Sequence, residues 1–422
     1  MPDRTRRERI FYYTALVIAI GAGIFLRLPS SLFTDGSPLH ALGSIHPTAK
    51  FSGIGFDEGL YREYVNALSK VGLTSYPDIV EQYIEVQSKL PASVLPPVRF
   101  LYIFAAYLWH SLFGTEALAA LHNVAALFSV LTLVVATVFA GRLKGPAWAL
   151  GVAALMAFAP TQIHMSQHAL VDGFFAFWAL LCLWLLWENL QAPKRAPLLV
   201  AYVLALASLV LTKENAFFGF VAIIALLLCN RWLQFGQVTR ELLLTTVLGP
   251  LLGVVILVFL AGGVGNIITT YQLSVGKNYQ LPYAILTGDG PWYRYLVDLL
   301  LVSPIILILA IAAVFRLDKT QKPELFLSIF VVGSYLIMCN VRYGMNLRYA
   351  NMWDMPFRFL AFSQITFIFG SLRRYRVAII VIAVGLLCLV ELQQYIILFV
   401  RYPLYELVSE GLLRALKILK SQ

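Results

Sequence analysis

Two adjacent carboxylates, Asp57 and Glu58, follow the first apolar segment in the stretch GFDEGLYREYV. Leu60, Tyr64 and Leu68 recur behind them at helical spacing, which predicts a helix with Asp57 in its first turn. A carboxylate there can cap exposed amide groups and meet the positive end of the helix dipole. It can equally act as a general base, with its neighbour binding an acceptor or a metal ion. Both interpretations remain open at this point.

A second candidate group lies in the stretch HMSQHALVDGFFAF, where His164, His168 and Asp172 are four residues apart. They share one face if a single helix covers them, so His168 and Asp172 are candidate ligands of a divalent metal ion. A simple hydrogen bond between His168 and Asp172 is the other interpretation. Asp172 also opens an otherwise apolar stretch, where an unpaired carboxylate is costly, so we predict a functional role for it.

Cations and a phenol form the third group. Lys213 lies between two apolar runs, where it can hold an anionic phosphate or simply pair with Glu214 as a connector. Arg342, Arg348 and Tyr349 lie in the stretch NVRYGMNLRYANMW. We predict that Lys213, Arg348, Tyr349 and Arg342 bind a phosphate, although lipid headgroups would also satisfy the arginines.

The elements that must position these residues are membrane helices. The chain is 60% hydrophobic and 13% charged, and long apolar runs recur to its end. The predicted fold is therefore an all-α polytopic membrane protein with about 11 transmembrane helices. The net charge of +10 comes from basic residues scattered between apolar runs, a pattern typical of membrane topology and not of nucleic-acid binding.

The topology depends on residues 96–114, an aromatic segment that could span the bilayer or lie along its surface. If it does not span, the short inner loops collect most of the basic residues, as the positive-inside rule requires. We therefore predict an interfacial or re-entrant segment, a cytoplasmic N-terminus and an outer C-terminus. Asp57, Asp172, Lys213 and both arginines then face the same outer side.

The expected organisation is a single transmembrane catalytic domain, residues 1–422, with no separate soluble unit. Residues 29–116 form a large first outer loop with interfacial helices, and residues 263–292 form a second outer loop. Residues 400–422 form a short amphipathic C-terminal tail.

Several motifs occur in a fixed order over nearly the whole chain. They are the DE pair, the PP…Y…LFG segment, the lone Asp ahead of a span, LTKE, GPWYRYLVDLLLVSP and a late LRY…MP. This order resembles the polyprenyl-phosphate-sugar-dependent glycosyltransferases of the GT-C superfamily, in particular protein O-mannosyltransferases and the lipid A aminoarabinose transferase.

The resemblance implies roles for individual residues. Asp57 would be the base on the acceptor hydroxyl, with Glu58 its motif neighbour, and Asp172 the second outer-loop acid near the reaction centre. Lys213, Arg348 and Tyr349 would hold the donor phosphate. The chain ends soon after its last apolar run, without the large soluble domain of many relatives, and this bears on the acceptor.

The predicted function is therefore glycosyl transfer with inversion on the outer face of a bacterial inner (plasma) membrane. The partners are a polyprenyl-phosphate sugar donor, a lipid, glycan or protein acceptor, and membrane lipids. The alternative is a transporter or flippase for an amphiphilic or anionic lipid-linked solute, and a third class is a non-catalytic assembly subunit. Against transport, the spans show no obvious two-fold repetition and the polar residues gather on one side.

Overall fold

The protein is described by a computed structural model covering residues 6–48, 54–278, 280, 282–342, 344–370, 372 and 375–419. Every regular element among these residues is helical, which confirms the predicted fold class. In chain order the α-helices are α1 (Arg6–Arg27), α2 (Phe56–Val71), α3 (Tyr76–Lys89), α4 (Phe100–Phe113), α5 (Ala117–Lys144), α6 (Pro146–Ala157), α7 (Pro160–Ser166), α8 (Val171–Gln191), α9 (Ala196–Thr212), α10 (Ala216–Leu233), α11 (Arg240–Leu260), α12 (Val264–Asn278), α13 (Pro282–Gly288), α14 (Arg294–Val302), α15 (Pro304–Phe315), α16 (Lys322–Met338), α17 (Asp354–Ile368), α18 (Arg376–Tyr395) and α19 (Ser409–Ala415). A 3-10 segment, Leu347–Trp353, joins α16 to α17, and a π-helical turn, Ile396–Arg401, follows α18.

Six of the described helices are long and apolar enough to cross a membrane, and the chain is a multi-pass membrane protein. A seventh span results if α6 and α7, which are bent by 61° at their junction, are counted together. Three shorter apolar helices, α4, α9 and α15, accompany them. The predicted count of 11 spans is not confirmed.

Local sequence explains several helix boundaries. Proline occupies the first turn of α6, α7, α9 and α15, where its missing N–H has no intrahelical acceptor to lose. Gly114 ends α4 in a left-handed conformation with φ of 64°, and Gly145 separates α5 from α6 with φ of 90°. These are backbone conformations that a side chain disfavours, so the two glycines set where the chain reverses.

The spanning helices alternate in direction, so their ends define two ends of the bundle. The site end contains the first residues of α5, α8, α10 and α17 and the last residues of α9 and α16. The basal end contains the opposite ends of those helices. Ion pairs mark it: Arg142 of α5 pairs with Glu188 of α8, and Lys144 of α5 pairs with Glu324 of α16.

The first loop packs over the site end. Helix α2 buries Tyr61, Val65 and Leu68 in one apolar cluster with Tyr102 and Ile103 of α4. Of the predicted apolar face, Leu68 is buried, but Leu60 and Tyr64 are only partly buried, and Tyr61 and Val65 lie in the buried positions instead. The cluster fixes α2, and with it Asp57, above the membrane helices.

Helix α4 begins and ends at the site end. Arg99, just before α4, donates a hydrogen bond of 2.7 Å to Tyr61 of α2. At the other end, His110 lies 2.5 Å from the carbonyl oxygen of Thr115, which precedes α5. With 14 residues, α4 is about 21 Å long, shorter than the hydrocarbon core of about 30 Å.

Candidate active site

The two adjacent carboxylates have different surroundings. Glu58 Oε2 accepts a hydrogen bond of 2.9 Å from the backbone N–H of Gly55, and Glu58 Oε1 accepts one of 2.8 Å from Ala169. The same Oε1 lies 3.1 Å from Nδ1 of His168. Burial opposes ionisation of Glu58, but the bond to His168 and the neighbouring charges outweigh it and lower its pKa to about 2. Glu58 therefore caps α2 and fastens it to the connection between α7 and α8.

Asp57 is the available carboxylate. Its Oδ2 accepts a hydrogen bond of 2.8 Å from Nη2 of Arg348, and 16% of its side chain is exposed, against 5% for Glu58. The residue at the N-cap is Gly55 and the capping side chain is Glu58, so the capping interpretation applies to Glu58 and not to Asp57. The structure leaves Asp57 accessible to a reacting molecule.

Arg348 connects the acids of the site. Besides Asp57, it faces Asp172 with Nε at 3.6 Å and Glu406 with Nη1 at 3.4 Å. Neither Nε nor Nη1 has a hydrogen-bond acceptor among the described residues, although both are buried. Burial disfavours the charged guanidinium, yet Glu406, Tyr349 and the two aspartates outweigh it and raise the pKa of Arg348 well above its usual value.

Lys213 forms the second cationic centre. It has an extended backbone between α9 and α10, and its Nζ lies 2.5 Å from Oδ1 of Asp172 and 3.9 Å from the ring centroid of Tyr349. Burial lowers the pKa of Lys213 to about 8, against the opposing effect of Asp172. Glu214 instead pairs with Arg99, so the simple connector pair between Lys213 and Glu214 is wrong. Extended backbone at Lys213 directs the two side chains to different partners.

Glu406 was missed by the sequence interpretation. It follows the π-helical turn, in the C-terminal tail, and its Oε2 accepts a hydrogen bond of 2.5 Å from Asn346. The backbone N–H of Leu347 also donates to the carbonyl oxygen of Leu407 over 3.2 Å, which fixes the tail beside the 3-10 segment. A signal was present, since Glu406 is a lone carboxylate in the apolar stretch YPLYELV.

The predicted helical face of His164, His168 and Asp172 does not form. Helix α7 ends at Ser166 and α8 begins at Val171, so the chain turns between the histidines and Asp172. His168 contacts Glu58, while Asp172 contacts Lys213.

A divalent metal ion at His168 and Asp172 stays a prediction, and the two side chains contact different partners in this arrangement. Nζ of Lys213 lies 2.5 Å from one oxygen of Asp172 and Nε of Arg348 faces the other at 3.6 Å, and the described residues contain no group of three His, Cys, Asp or Glu side chains suited to a metal ion.

Arg342 lies outside the cluster. It is exposed on the turn after α16 and forms no ion pair with any residue that the structure describes. Of the predicted residues, Asp57, Asp172, Lys213, Arg348 and Tyr349 come together.

The cluster contains more acidic than basic side chains. Three carboxylates, from Asp57, Asp172 and Glu406, share the two cations Lys213 and Arg348. Such a site combines a proton acceptor with cations that a bound anion could take from their carboxylate partners. Its parts come from the first loop, α8, the α9–α10 connection, the 3-10 segment and the tail.

A profile of the family described as dolichyl-phosphate-mannose-protein mannosyltransferase matches residues 75–263, less than half of the chain. The matched region includes Asp172 and Lys213 but begins after Asp57 and ends before Arg348. No protein of curated function matches the sequence significantly.

Solved structures show the fold. The oligosaccharyltransferase of Archaeoglobus fulgidus superposes on 93% of the chain with a TM-score of 0.63 and 15% sequence identity. The chain spans only 56% of that protein. ArnT from Cupriavidus metallidurans, bound to undecaprenyl phosphate, covers 98% of the chain at 15% identity and a TM-score of 0.56, and the chain spans 77% of ArnT. The expected resemblance to the GT-C superfamily is thus confirmed for the fold.

Proposed function

We propose that the protein is a GT-C-type glycosyltransferase that moves a sugar from a polyprenyl-phosphate donor to an acceptor hydroxyl at the site end of the bundle. One observation carries the proposal: Arg348 joins the accessible carboxylate of Asp57 to the buried pair of Asp172 and Lys213. A proton acceptor and phosphate-binding cations are thereby placed side by side, as sugar transfer from a lipid phosphate requires.

The reaction needs one base and one stabilised leaving group. Asp57 takes the proton of the acceptor hydroxyl, whose oxygen forms a bond to the anomeric carbon. The bond between that carbon and the phosphate oxygen breaks, and its electron pair leaves with the lipid phosphate. A single displacement of this kind inverts the configuration at the anomeric carbon.

The departing phosphate gains negative charge, so cations that contact it lower the barrier. Nε and Nη1 of Arg348 have no hydrogen-bond acceptor among the described residues, and they face Asp172 and Glu406 only at 3.6 and 3.4 Å. A phosphate oxygen can bind there at hydrogen-bonding distance. Lys213, held over the ring of Tyr349, supplies the second positive charge. When the donor binds, its phosphate would draw Arg348 away from Asp57. The carboxylate of Asp57 would then be free to act as the base.

The donor assignment has support from the structural relatives. ArnT was crystallised with undecaprenyl phosphate, and the archaeal oligosaccharyltransferase AglB, which has a TM-score of 0.61 and 14% identity, was solved with a dolichol-phosphate and an inhibitory peptide. The acceptor of this chain is a hydroxyl on a lipid, glycan or protein.

We also propose the orientation. Basic residues line the connections at the basal end, as the positive-inside rule expects of a cytoplasmic face. The described ones are Arg142, Lys144, Lys194, Arg195, Arg231, Arg240, Arg316, Lys319, Lys322 and Arg376. The site then opens to the outer side of a bacterial inner membrane, with the N-terminus in the cytoplasm and the C-terminus outside.

The purified full-length chain in lipid nanodiscs should be incubated with a panel of undecaprenyl-phosphate-linked sugars and hydroxyl acceptors. Mass spectrometry then measures released undecaprenyl phosphate and glycosylated acceptor. Arg342→Gln is the matched control, because Arg342 is a cation in a neighbouring loop that lies outside the cluster. We expect release with the wild type and with this control. If the donor is never cleaved in nanodiscs but crosses the bilayer when the same chain is reconstituted in sealed liposomes, the protein is a transporter and the proposal fails.

A further inference from the structure

A cavity of about 670 Å³ lies at the basal end, away from the candidate active site. It is an open cavity lined by the last turns of α5, α15 and α17 and the first turns of α6, α16 and α18. Its lining combines cations, hydroxyls and apolar side chains, contributed by Lys144, Trp148, Arg316, Ser363, Thr366 and Phe367 among others. None of these residues takes part in the proposed transfer reaction.

Among the described residues, acidic side chains balance only part of the positive charge in the cavity. Lys144 pairs with Glu324, but Arg316 and Arg376 form no ion pair with any residue in the described part of the chain. Arg316 is also positioned: Nε donates to Gln364 over 3.1 Å, and its guanidinium carbon lies 4.1 Å from the ring centroid of Phe367. Two guanidinium groups beside one cavity can bind an anion with several oxygen atoms.

A buried acceptor lies beside these cations. Glu324 is fully buried, and its Oε1 accepts hydrogen bonds from Lys144 and, over 2.9 Å, from Ser363. Its Oε2 has no donor among the described residues. A buried carboxylate oxygen without a partner is costly, so a ligand with a hydroxyl or amine donor would complete it.

The apolar wall of the cavity is exposed on the outside of the helix bundle. Phe367 is 58% exposed and Ile368 is 47% exposed, and both line the cavity at the end of α17. Large apolar side chains exposed at the end of a membrane helix can pack against acyl chains. The cavity can therefore be reached by a molecule that keeps its tail in the bilayer and its headgroup among the arginines.

We propose that the cavity binds the phosphate group of a phospholipid headgroup that also carries a hydroxyl or amine donor. The phosphate lies between Arg316 and Arg376, the donor reaches Glu324, and the acyl chains follow Phe367 and Ile368. Phosphatidylglycerol meets these requirements, with one negative charge and two hydroxyls. Free inorganic phosphate could also bind between the two arginines, so the experiment must distinguish it from the lipid headgroup.

The test measures binding to the full-length protein by native mass spectrometry and by thermal melts in detergent. The probes are phosphatidylglycerol, phosphatidylcholine and millimolar inorganic phosphate. The variants are Arg316→Gln and Arg376→Gln, with Arg231→Gln as the matched control. Arg231 is an exposed basic residue in the last turn of α10, also at the basal end, but it does not line the cavity.

We expect phosphatidylglycerol to bind and stabilise the wild type and Arg231→Gln equally, and phosphatidylcholine to bind more weakly because its headgroup has no hydrogen-bond donor. Each cavity variant should bind phosphatidylglycerol about fivefold more weakly. If inorganic phosphate reproduces the full effect, the site belongs to free phosphate. Equal binding by all variants, or an equal loss in Arg231→Gln, would overturn the proposal.

Discussion

Two arginines in one stretch of the chain show what separates a structural ion pair from a site. Arg358, in α17, is almost fully buried, and each of its three guanidinium nitrogens has a hydrogen bond. Nε donates to Leu155 over 3.1 Å, Nη1 to Asp354 over 2.7 Å and Nη2 to Glu391 over 2.6 Å. Each nitrogen of this buried guanidinium already donates to the protein, so its main partners are groups of the helix bundle itself.

Arg348, in the 3-10 segment, is also buried, but two of its three guanidinium nitrogens have no hydrogen bond to a described residue. Only Nη2 forms a hydrogen bond to a described residue, and the other two nitrogens face carboxylates at 3.4 and 3.6 Å. Buried donors without acceptors cost stability. We infer that Arg348 binds a ligand, whereas Arg358 stabilises the helix bundle.

The largest expected effect comes from Asp57. Asp57→Asn keeps size and polarity but removes the proton acceptor, so transfer should fall about a hundredfold or more while the melting temperature changes little. Its neighbour Glu58→Gln should show the opposite pattern, with near-normal transfer by the folded protein and a loss of about 1–3 kcal/mol in stability. Sugar transfer and thermal melts measure both, and near-normal transfer by Asp57→Asn would remove it as the base.

The Glu58 contribution should also depend on pH. Because its pKa is lowered to about 2 in the folded protein, the stabilisation is present above the ordinary value of 4.5 and is lost as the pH falls toward 2. Glu58→Gln should flatten that part of the stability profile.

Replacing each arginine with lysine directly tests the difference between Arg348 and Arg358. Arg348→Lys keeps the charge but loses the planar set of donors, so transfer should fall about tenfold or more with little change in melting temperature. Arg358→Lys loses hydrogen bonds to buried acids, so stability should fall by about 2–3 kcal/mol while the folded fraction stays active. If both variants lose stability alike and keep activity, Arg348 is a structural residue as well.

The pH dependence of sugar transfer tests the role of Lys213. Its pKa of about 8 means that the ammonium is charged below this pH and loses its charge above it. Transfer should therefore decline as the pH rises through about 8, and Lys213→Arg, which stays charged, should move the decline to higher pH. Rates measured from pH 6 to pH 10 give the profile, and an unchanged profile in Lys213→Arg would assign the decline to another group.

The smallest effect is expected from Glu406. Its carboxylate competes with a bound phosphate for Arg348, so Glu406→Gln should lower the KM for the donor by about two- to fivefold. Steady-state kinetics at varied donor concentration measure this. A raised KM would instead show that Glu406 positions Arg348 for the donor.

Much of the site followed from the sequence because its acids and cations interrupt apolar stretches. Asp172 and Lys213 stood out for that reason, and the charge bias of the loops placed them on the same side as Asp57. The same reasoning included Arg342, which the structure leaves on the surface. The end of the bundle at which a residue lies can be predicted from the sequence, whereas its proximity to other residues at that end cannot.

The different roles of Asp57 and Glu58 could not be predicted from their types. Both are carboxylates in the first turn of α2, and the assignment depends on what approaches each from elsewhere. Glu58 meets the α7–α8 connection more than a hundred residues later, and Asp57 meets Arg348 nearly three hundred residues later.

The sequence by itself determined the fold class, the helical periods and the ordered motifs, because apolar length and local turn chemistry are properties of neighbouring residues. Tertiary structure alone decided the break between α7 and α8, the arrival of Glu406 from the tail and the incomplete hydrogen bonding of Arg348. These features arise when segments far apart in the chain pack together, and a buried charge takes its role from the partners that such packing supplies.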